Sequence, residues 1–235
     1  MKALLRVARL IAAKDLRIER RSRVAITQIV GFAVLVLFLF AFAFDPTRGV
    51  LARATPGLFW IAVLLSLLLV VGRNFAAETA DGALDGLRMA GLEPGGIFLG
   101  KFIALLVELL ALVVVLLAGV VVFYDTEIPA AGAVLLVTSA FLACTGLAAA
   151  GTVYGALSAG VRVRETLLPL LLLPVVAPVL IGATRAFEAA LGTPSDDRRA
   201  VASVAEGWPW VALLGVFAVM FVAGGLLSFG TLLED

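Results

Sequence analysis

The sequence predicts an all-α, polytopic integral membrane protein: six transmembrane helices preceded by an N-terminal amphipathic interfacial helix. Three observations carry this. Of the 235 residues, 63% are hydrophobic and 15% charged, against about 45–50% apolar and about 25% charged in soluble domains. The mean hydropathy is +1.14. Apolar runs of spanning length recur six times between charged segments, and eight of the eighteen basic side chains fall within the first 24 residues. The same numbers exclude intrinsic disorder. Six crossings at roughly 20 residues each use about half the chain, which leaves no room for a large extramembrane enzyme domain.

The elements follow in order. Within residues 1–23, Leu4, Val7, Ile11 and Ile18 share one narrow arc at 100° per residue, while Arg6, Arg9, Arg17 and Arg20 cluster opposite. That pattern predicts a helix lying on the anionic cytoplasmic leaflet, apolar face down. Spans are expected at about 24–44, 57–73, 97–124, 130–160, 166–184 and 208–231, as closed helices because lipid offers backbone groups no partners. The third and fourth exceed the hydrocarbon thickness and must tilt, kink or project. The 21-residue first run is too long for the apolar region of a signal peptide, about 7–15 residues, so it is read as a retained span. Thirteen basic residues, including Arg73, Arg88, Lys101, Arg162 and Arg164, fall on one side and five (Arg48, Arg53, Arg185, Arg198 and Arg199) on the other. The excess places both termini in the cytoplasm. Trp60, Trp208, Trp210 and Tyr124 lie at the outer ends of spans, where amphipathic rings anchor at the interface. Pro169, Pro174 and Pro178 in span five each remove a donor, predicting a kinked or broken helix, either a moving element or a static kink. Gly151, Gly155 and Ala159 repeat at four-residue spacing in span four, a small-residue face expected to pack within the chain.

Few residues offer chemistry. The chain has one cysteine, Cys144, and no histidine, which removes zinc-site, Ser-His and Cys-His readings. Gly95-Gly96-Ile97-Phe98-Leu99-Gly100-Lys101-Phe102 imitates a phosphate-binding loop, but Phe102 replaces the magnesium-binding hydroxyl and no strand precedes it. ATP, if used, binds to another polypeptide. The cytoplasmic segment 74–96 carries Glu78, Asp81 and Asp85 at helical spacing, with Leu84, Leu87 and Met89 as apolar anchors. A short helix docked on a partner and a solvated acidic loop both fit. Two ionisable residues sit inside span three. Lys101 lies near its inner end and can snorkel. Glu108, seven residues and about 10 Å further in, must face protein, a cavity or a basic partner. A buried pair with Lys101 or another chain and a gating role both remain open.

Here the motifs meet a known pattern. Asp81-Gly82-Ala83-Leu84-Asp85-Gly86-Leu87 resembles the E-D-G-T-L-E-Q-L coupling segment of the haem exporter B family (CcmB), the permease of cytochrome c maturation. Lys14-Asp15-Leu16-Arg17-Ile18-Glu19 resembles that family's K-D-L-x-x-E, and Ile97-Phe98-Leu99-Gly100-Lys101 its F-L-G-K entry to span three. Arg162-Val163-Arg164-Glu165-Thr166-Leu167-Leu168-Pro169, through Leu173-Pro174 to Pro178-Val179-Leu180, is similar to its R-x-R-E-x-L-L-P…L-P…P-V-L stretch. Ala83, Gly86 and Ala80 depart from the usual Thr, Gln and acidic residue. The resemblance implies an ABC-2-type exporter permease of the cell inner membrane. Residues Glu78, Asp81, Gly82, Leu84, Asp85, Gly86 and Leu87 would couple it to a partner ATPase. It also implies a haem-handling membrane subunit and a haem chaperone as partners, a second permease copy as a further candidate, and haem as candidate cargo. The chain itself is then no enzyme, and ATP hydrolysis belongs to the partner. Axial haem ligands here would shrink to Cys144, Met89, Met220, Tyr124 and Tyr154, none in a haem motif, so no cofactor is expected on this chain. A permease for a drug, lipid or glycan, and a non-transporting assembly factor, are the rival readings.

Overall fold

Runs of leucine, valine and alanine with few interior breakers close their backbone hydrogen bonds as helices. The computed structural model of the chain describes residues 2–21, 23–44, 49–80, 92–159, 164–193 and 203–234. Among these residues are seven α-helices, one 3-10 turn and no strand. They are α1 (Lys2–Arg21), α2 (Arg23–Ala43), α3 (Val50–Ala80), α4 (Pro94–Tyr124), the turn Ala130–Gly132, α5 (Ala133–Ala159), α6 (Arg164–Leu191) and α7 (Val204–Glu234). Five stretches are long and apolar enough to cross a membrane: Val50–Phe75, Pro94–Tyr124, Ala130–Ser158, Leu167–Leu191 and Val204–Thr231. The shorter apolar stretch Thr27–Ala43 lies in α2. This is the architecture of a multi-pass membrane protein. Helices α3, α4 and α7 have 31 residues each, about 46 Å at 1.5 Å per residue, so they exceed a ~30 Å hydrocarbon core.

Helix α5 forms the centre and packs against α3, α4, α6 and α7. Its most apolar window is 61% buried, as is that of α3, against 22% for α7, so α5 is an interior hub and α7 lies at the periphery. Small residues make this possible: Ala143, Ala148, Ala149 and Ala150 are buried, and their short side chains admit neighbouring backbones. Gly151 and Gly155 receive α3, where a β-carbon on Gly155 would lie 2.5 Å from the Phe75 ring. That glycine face is therefore used inside the chain. Buried hydroxyls turn back on their own helices, as in Ser66 donating to the Ala62 carbonyl and Thr152 to the Ala148 carbonyl, each at 2.8 Å. Among the described residues, every buried serine and threonine hydroxyl is engaged in this way.

Two interfacial anchors turn out to be interior. Trp60 is 1% exposed and packs edge-on against Phe59 and Phe187, at 5.4 and 5.0 Å between centroids. Tyr124 is buried and donates its hydroxyl to the Leu37 carbonyl at 3.0 Å, tying the end of α4 to α2. Trp208 remains exposed.

The helices also overrun the apolar stretches. The α3 helix continues past Arg73, and α6 past Arg185 to Leu191. A charge ends a hydropathy run but breaks no backbone bond, and both arginines find carboxylates in Glu19 and Glu188. The real stop of α6 is Gly192, at φ +63, with the Thr193 N–H donating to the Glu188 carbonyl at 3.1 Å. That left-handed glycine and its six-to-one hydrogen bond form a Schellman cap. Of the kinked or broken helix expected from Pro169, Pro174 and Pro178, the break is corrected: α6 runs as one helix through all three. Each proline forfeits one bond, whereas unwinding in an apolar setting would strand several more groups.

At one end of the bundle, Leu4 of α1 and Leu226 of α7 both approach Gly95, and Gly230 of α7 faces Pro94. The start of α1, the start of α4 and the final turns of α7 thus meet there. At the opposite end, Gly132 is wedged against α6, where a β-carbon would lie 1.9 Å from the Ala190 carbonyl oxygen. Gly132→Ala is expected to lose about 1–3 kcal/mol through this backbone overlap. Gly224→Ala, where a β-carbon meets nothing within 4 Å, serves as the control and should lose no stability. Thermal unfolding in detergent micelles reads both.

Candidate functional site

The candidate site grows from a crossing of α1 over α4. Gly96 and Gly100 stand four residues apart, hence on one face of α4. A β-carbon on Gly96 would meet Val7 Cβ at 2.9 Å and the Leu4 carbonyl at 3.1 Å. One on Gly100 would meet Ile11 Cβ at 2.6 Å and the Ala8 carbonyl at 2.9 Å. The glycines that imitate a phosphate-binding loop form the notch in which α1 lies.

This seating alters the expected orientation of α1. Ala8, Ile11 and Ala12 are buried, Arg6, Arg9, Arg17, Arg20 and Arg21 are exposed, and Ile18 is 57% exposed. At 100° per residue the packed face follows Leu4, Ala8, Ile11, Asp15 and Glu19. The apolar arc therefore does not face lipid as a whole: its first half fills the glycine notch, and Ile18 turns away. Two carboxylates, one helical turn apart, ride on the packed face instead.

Those carboxylates meet cations from two other helices. Asp15 Oδ2 lies 3.8 Å from Lys101 Nζ of α4, and Asp15 Oδ1 lies 3.1 Å from Lys14. Glu19 accepts a hydrogen bond from Arg73 Nη2 of α3. The Lys101 side chain is only 7% exposed, so it does not snorkel to water. Its ammonium also sits 5.2 Å from the centroid of the Phe75 ring, a cation–π contact in a dry setting. Deeper along α4, Glu108 Oε2 accepts a hydrogen bond from Asn74 Nδ2 at 3.3 Å. Lys101 and Glu108, weighed from sequence as a pair, are thus each joined to another helix: Lys101 to α1, Glu108 to α3.

The cluster stands where α3 approaches the acidic segment. Glu78 lies on the last turn of α3; Asp81, Gly82, Leu84, Asp85, Gly86 and Leu87 fall outside the described residues. On the near side of that segment Arg73 is held by Glu19, and on the far side Gly95 and Gly96 are held by Leu4 and Val7. One helix, α1, therefore grips both feet of the segment between α3 and α4. Sequence reasoning singled out neither Arg73, Asn74 and Phe75 nor the Gly96/Gly100 notch. The available signals were the four-residue spacing of Asp15 and Glu19 and the four-residue spacing of the two glycines. Of the conceivable haem ligands, Cys144 is fully buried in the core, and Tyr124 is engaged with Leu37.

Removing one partner of a buried ion pair strands the other. Asp15→Leu should cost about 2–3 kcal/mol, a value reduced for the partial exposure of Asp15. Adding Lys101→Met should recover all but about 1 kcal/mol of it. Denaturant titration of the micellar protein reads the cycle, and simple additivity of the two changes would contradict the pairing.

Comparison with known proteins gives the chain its relatives. The family model for the CcmB protein matches residues 6–222, from within α1 to within α7. Heme exporter protein B of Paracoccus denitrificans is 34% identical over 170 residues, covering 72% of this chain and 76% of that protein. Heme exporter protein B of Haemophilus influenzae is 32% identical over 182 residues, covering 77% and 80%. The Escherichia coli K12 protein of the same name is 33% identical over 182 residues, covering 75% and 79%. With nearly its whole length matched and relatives above 30% identity spanning most of both chains, this chain belongs to the CcmB protein family.

Proposed function

We propose that this chain is the membrane permease subunit of an ATP-binding-cassette transporter that exports or releases haem for cytochrome c maturation. Its membership of the CcmB family and its relatives named heme exporter protein B support the cargo. ATP is bound and hydrolysed by a partner ATPase, and this chain breaks no bond. The observation that carries the mechanism is that α1 holds both feet of the segment between α3 and α4. A partner closing on ATP pushes that segment, including Glu78, Asp81, Gly82, Leu84, Asp85, Gly86 and Leu87. Because the feet are fixed to one another through α1, the push moves α3 and α4 as a rigid pair against the α5 hub.

The remaining arrangement follows from charge and length. The α2 helix, with 21 residues or about 31 Å, supplies a sixth crossing. The cluster end, with α1 and its exposed arginines, faces the cytoplasm by the excess of basic residues. There α1 lies at the anionic leaflet with its arginines toward the headgroups and its glycine-seated face on α4. Both termini are then cytoplasmic and the membrane is the inner one. Haem itself is held by a separate haem-handling membrane subunit and a haem chaperone. A second permease copy completes the complex.

Co-purification of the chain with its membrane partners, followed by ATPase assay, tests this reading. Glu19→Arg and Arg73→Glu should each lower permease-dependent ATPase stimulation by about fivefold or more. The double reversal should restore most of it. Failure of any ATPase to co-purify, or singles as active as the wild type, would overturn the proposal.

A further inference from the structure

A second feature lies at the opposite end of the molecule, away from the charged cluster. A cleft of about 340 Å³ opens between the first turns of α3 and the last turns of α6. That volume is at the small end of ligand pockets, which run ~300–1,000 Å³. Its apolar lining is Ile61 of α3 and Leu180 and Ile181 of α6, with the Trp60 indole beside them. Trp60 is held in place by Phe59 and Phe187. Its Nε1 is buried and has no hydrogen-bond partner among the described residues, which is unusual for a tryptophan set this deep.

The mouth is polar and carries both signs of charge. Arg185 Nη1 donates to Glu188 Oε2 at 2.8 Å, one turn apart on α6. These residues lie in the last two turns before the helix stop at Gly192, the level at which a spanning helix meets lipid headgroups. Gly57 leaves the α3 side open: a β-carbon there would meet nothing within 4 Å.

We propose that this cleft binds one phosphatidylethanolamine-class phospholipid. Its acyl chain fills the apolar slot, its phosphate pairs with Arg185 and its primary ammonium pairs with Glu188. The neighbouring opposite charges select this occupant. A headgroup bearing only negative charge, or a carboxylate amphiphile such as haem, gains Arg185 but is repelled by Glu188. The inference rests on the membrane-spanning architecture alone and is independent of the cargo.

Trp60 reports on the cleft once Trp208 and Trp210 are replaced by phenylalanine, since the chain has three tryptophans. The full-length double variant is reconstituted in 1:1 phosphatidylethanolamine–phosphatidylglycerol vesicles in which the acyl chains of one lipid or the other are brominated. Brominated phosphatidylethanolamine should quench Trp60 about two- to fivefold more effectively, the preference expected of partly exposed charge pairs. Gly57→Leu should abolish the preference by filling the slot, and Glu188→Gln should shift it toward phosphatidylglycerol by freeing Arg185. Equal quenching by the two lipids, or a preference that survives Gly57→Leu, would overturn the proposal. So would a haem Soret band retained by the wild-type chain after washing and lost in Gly57→Leu, which would assign the cleft to haem.

Discussion

A carboxylate drawn against an apolar bundle is steadied by a cation beside it, and α1 half-buries two. Asp15 and Glu19 occupy the same helical face as Ala8 and Ile11, so α1 cannot settle into the Gly96/Gly100 notch without bringing both acids inward. Lys101 from α4 and Arg73 from α3 answer them. The alternative, acids left unpaired against an apolar bundle, costs several kcal/mol each. The remaining arrangement of this end depends on that constraint. It fixes where α1 crosses, sets the rotation of α4 about its own axis, and holds α3 helical beyond Arg73.

On the proposed coupling, the pairings would let a small permease transmit force through its own helices. A segment pushed by a partner moves a membrane helix only if its ends are stiff. Here each end is gripped by the same helix, once by an ion pair and once by close packing against glycine. Phe75 extends the connection inward, since its ring lies under Lys101 and against the Gly155 face of α5. The Asn74–Glu108 hydrogen bond adds a second tie between α3 and α4. On that proposal, motion of the feet would reach the hub helix through packed side chains, and from there α6 and α7, which pack on α5.

Much of the fold is legible in the sequence because hydropathy and helical period are strong signals in a chain this apolar. The five long stretches, the N-terminal helix and the small-residue face of α5 all come from them. Helix ends are less legible. Arg73 and Arg185 look like span boundaries, yet both are paired within the protein and the backbone continues; the glycine at 192 is the true stop. The three prolines of α6 look like a break, but the apolar surroundings enforce continuity. The site was harder to read. Glu108 and Lys101 stand out as charges in an apolar run, but their partners lie more than thirty and eighty positions away, at Asn74 and Asp15. No local period encodes such pairings. The glycine notch was visible as a four-residue spacing and concealed by its likeness to a nucleotide loop. Trp60 and Tyr124 show the same limit, since an aromatic near a span end reads as an anchor until its neighbours are known.

The central claim is that α1 and α4 move as one body during the transport cycle. Spin labels at Arg9 on α1 and Val122 near the far end of α4, both exposed, would measure it by pulsed electron paramagnetic resonance in a Cys144→Ala background. The complex with its partner ATPase would be compared without nucleotide and with trapped ATP, in a sample shown to hydrolyse ATP. The account predicts one distance, unchanged between the two states. A shift of about 5 Å or more, one helical turn, would show α1 sliding on α4 and would contradict it.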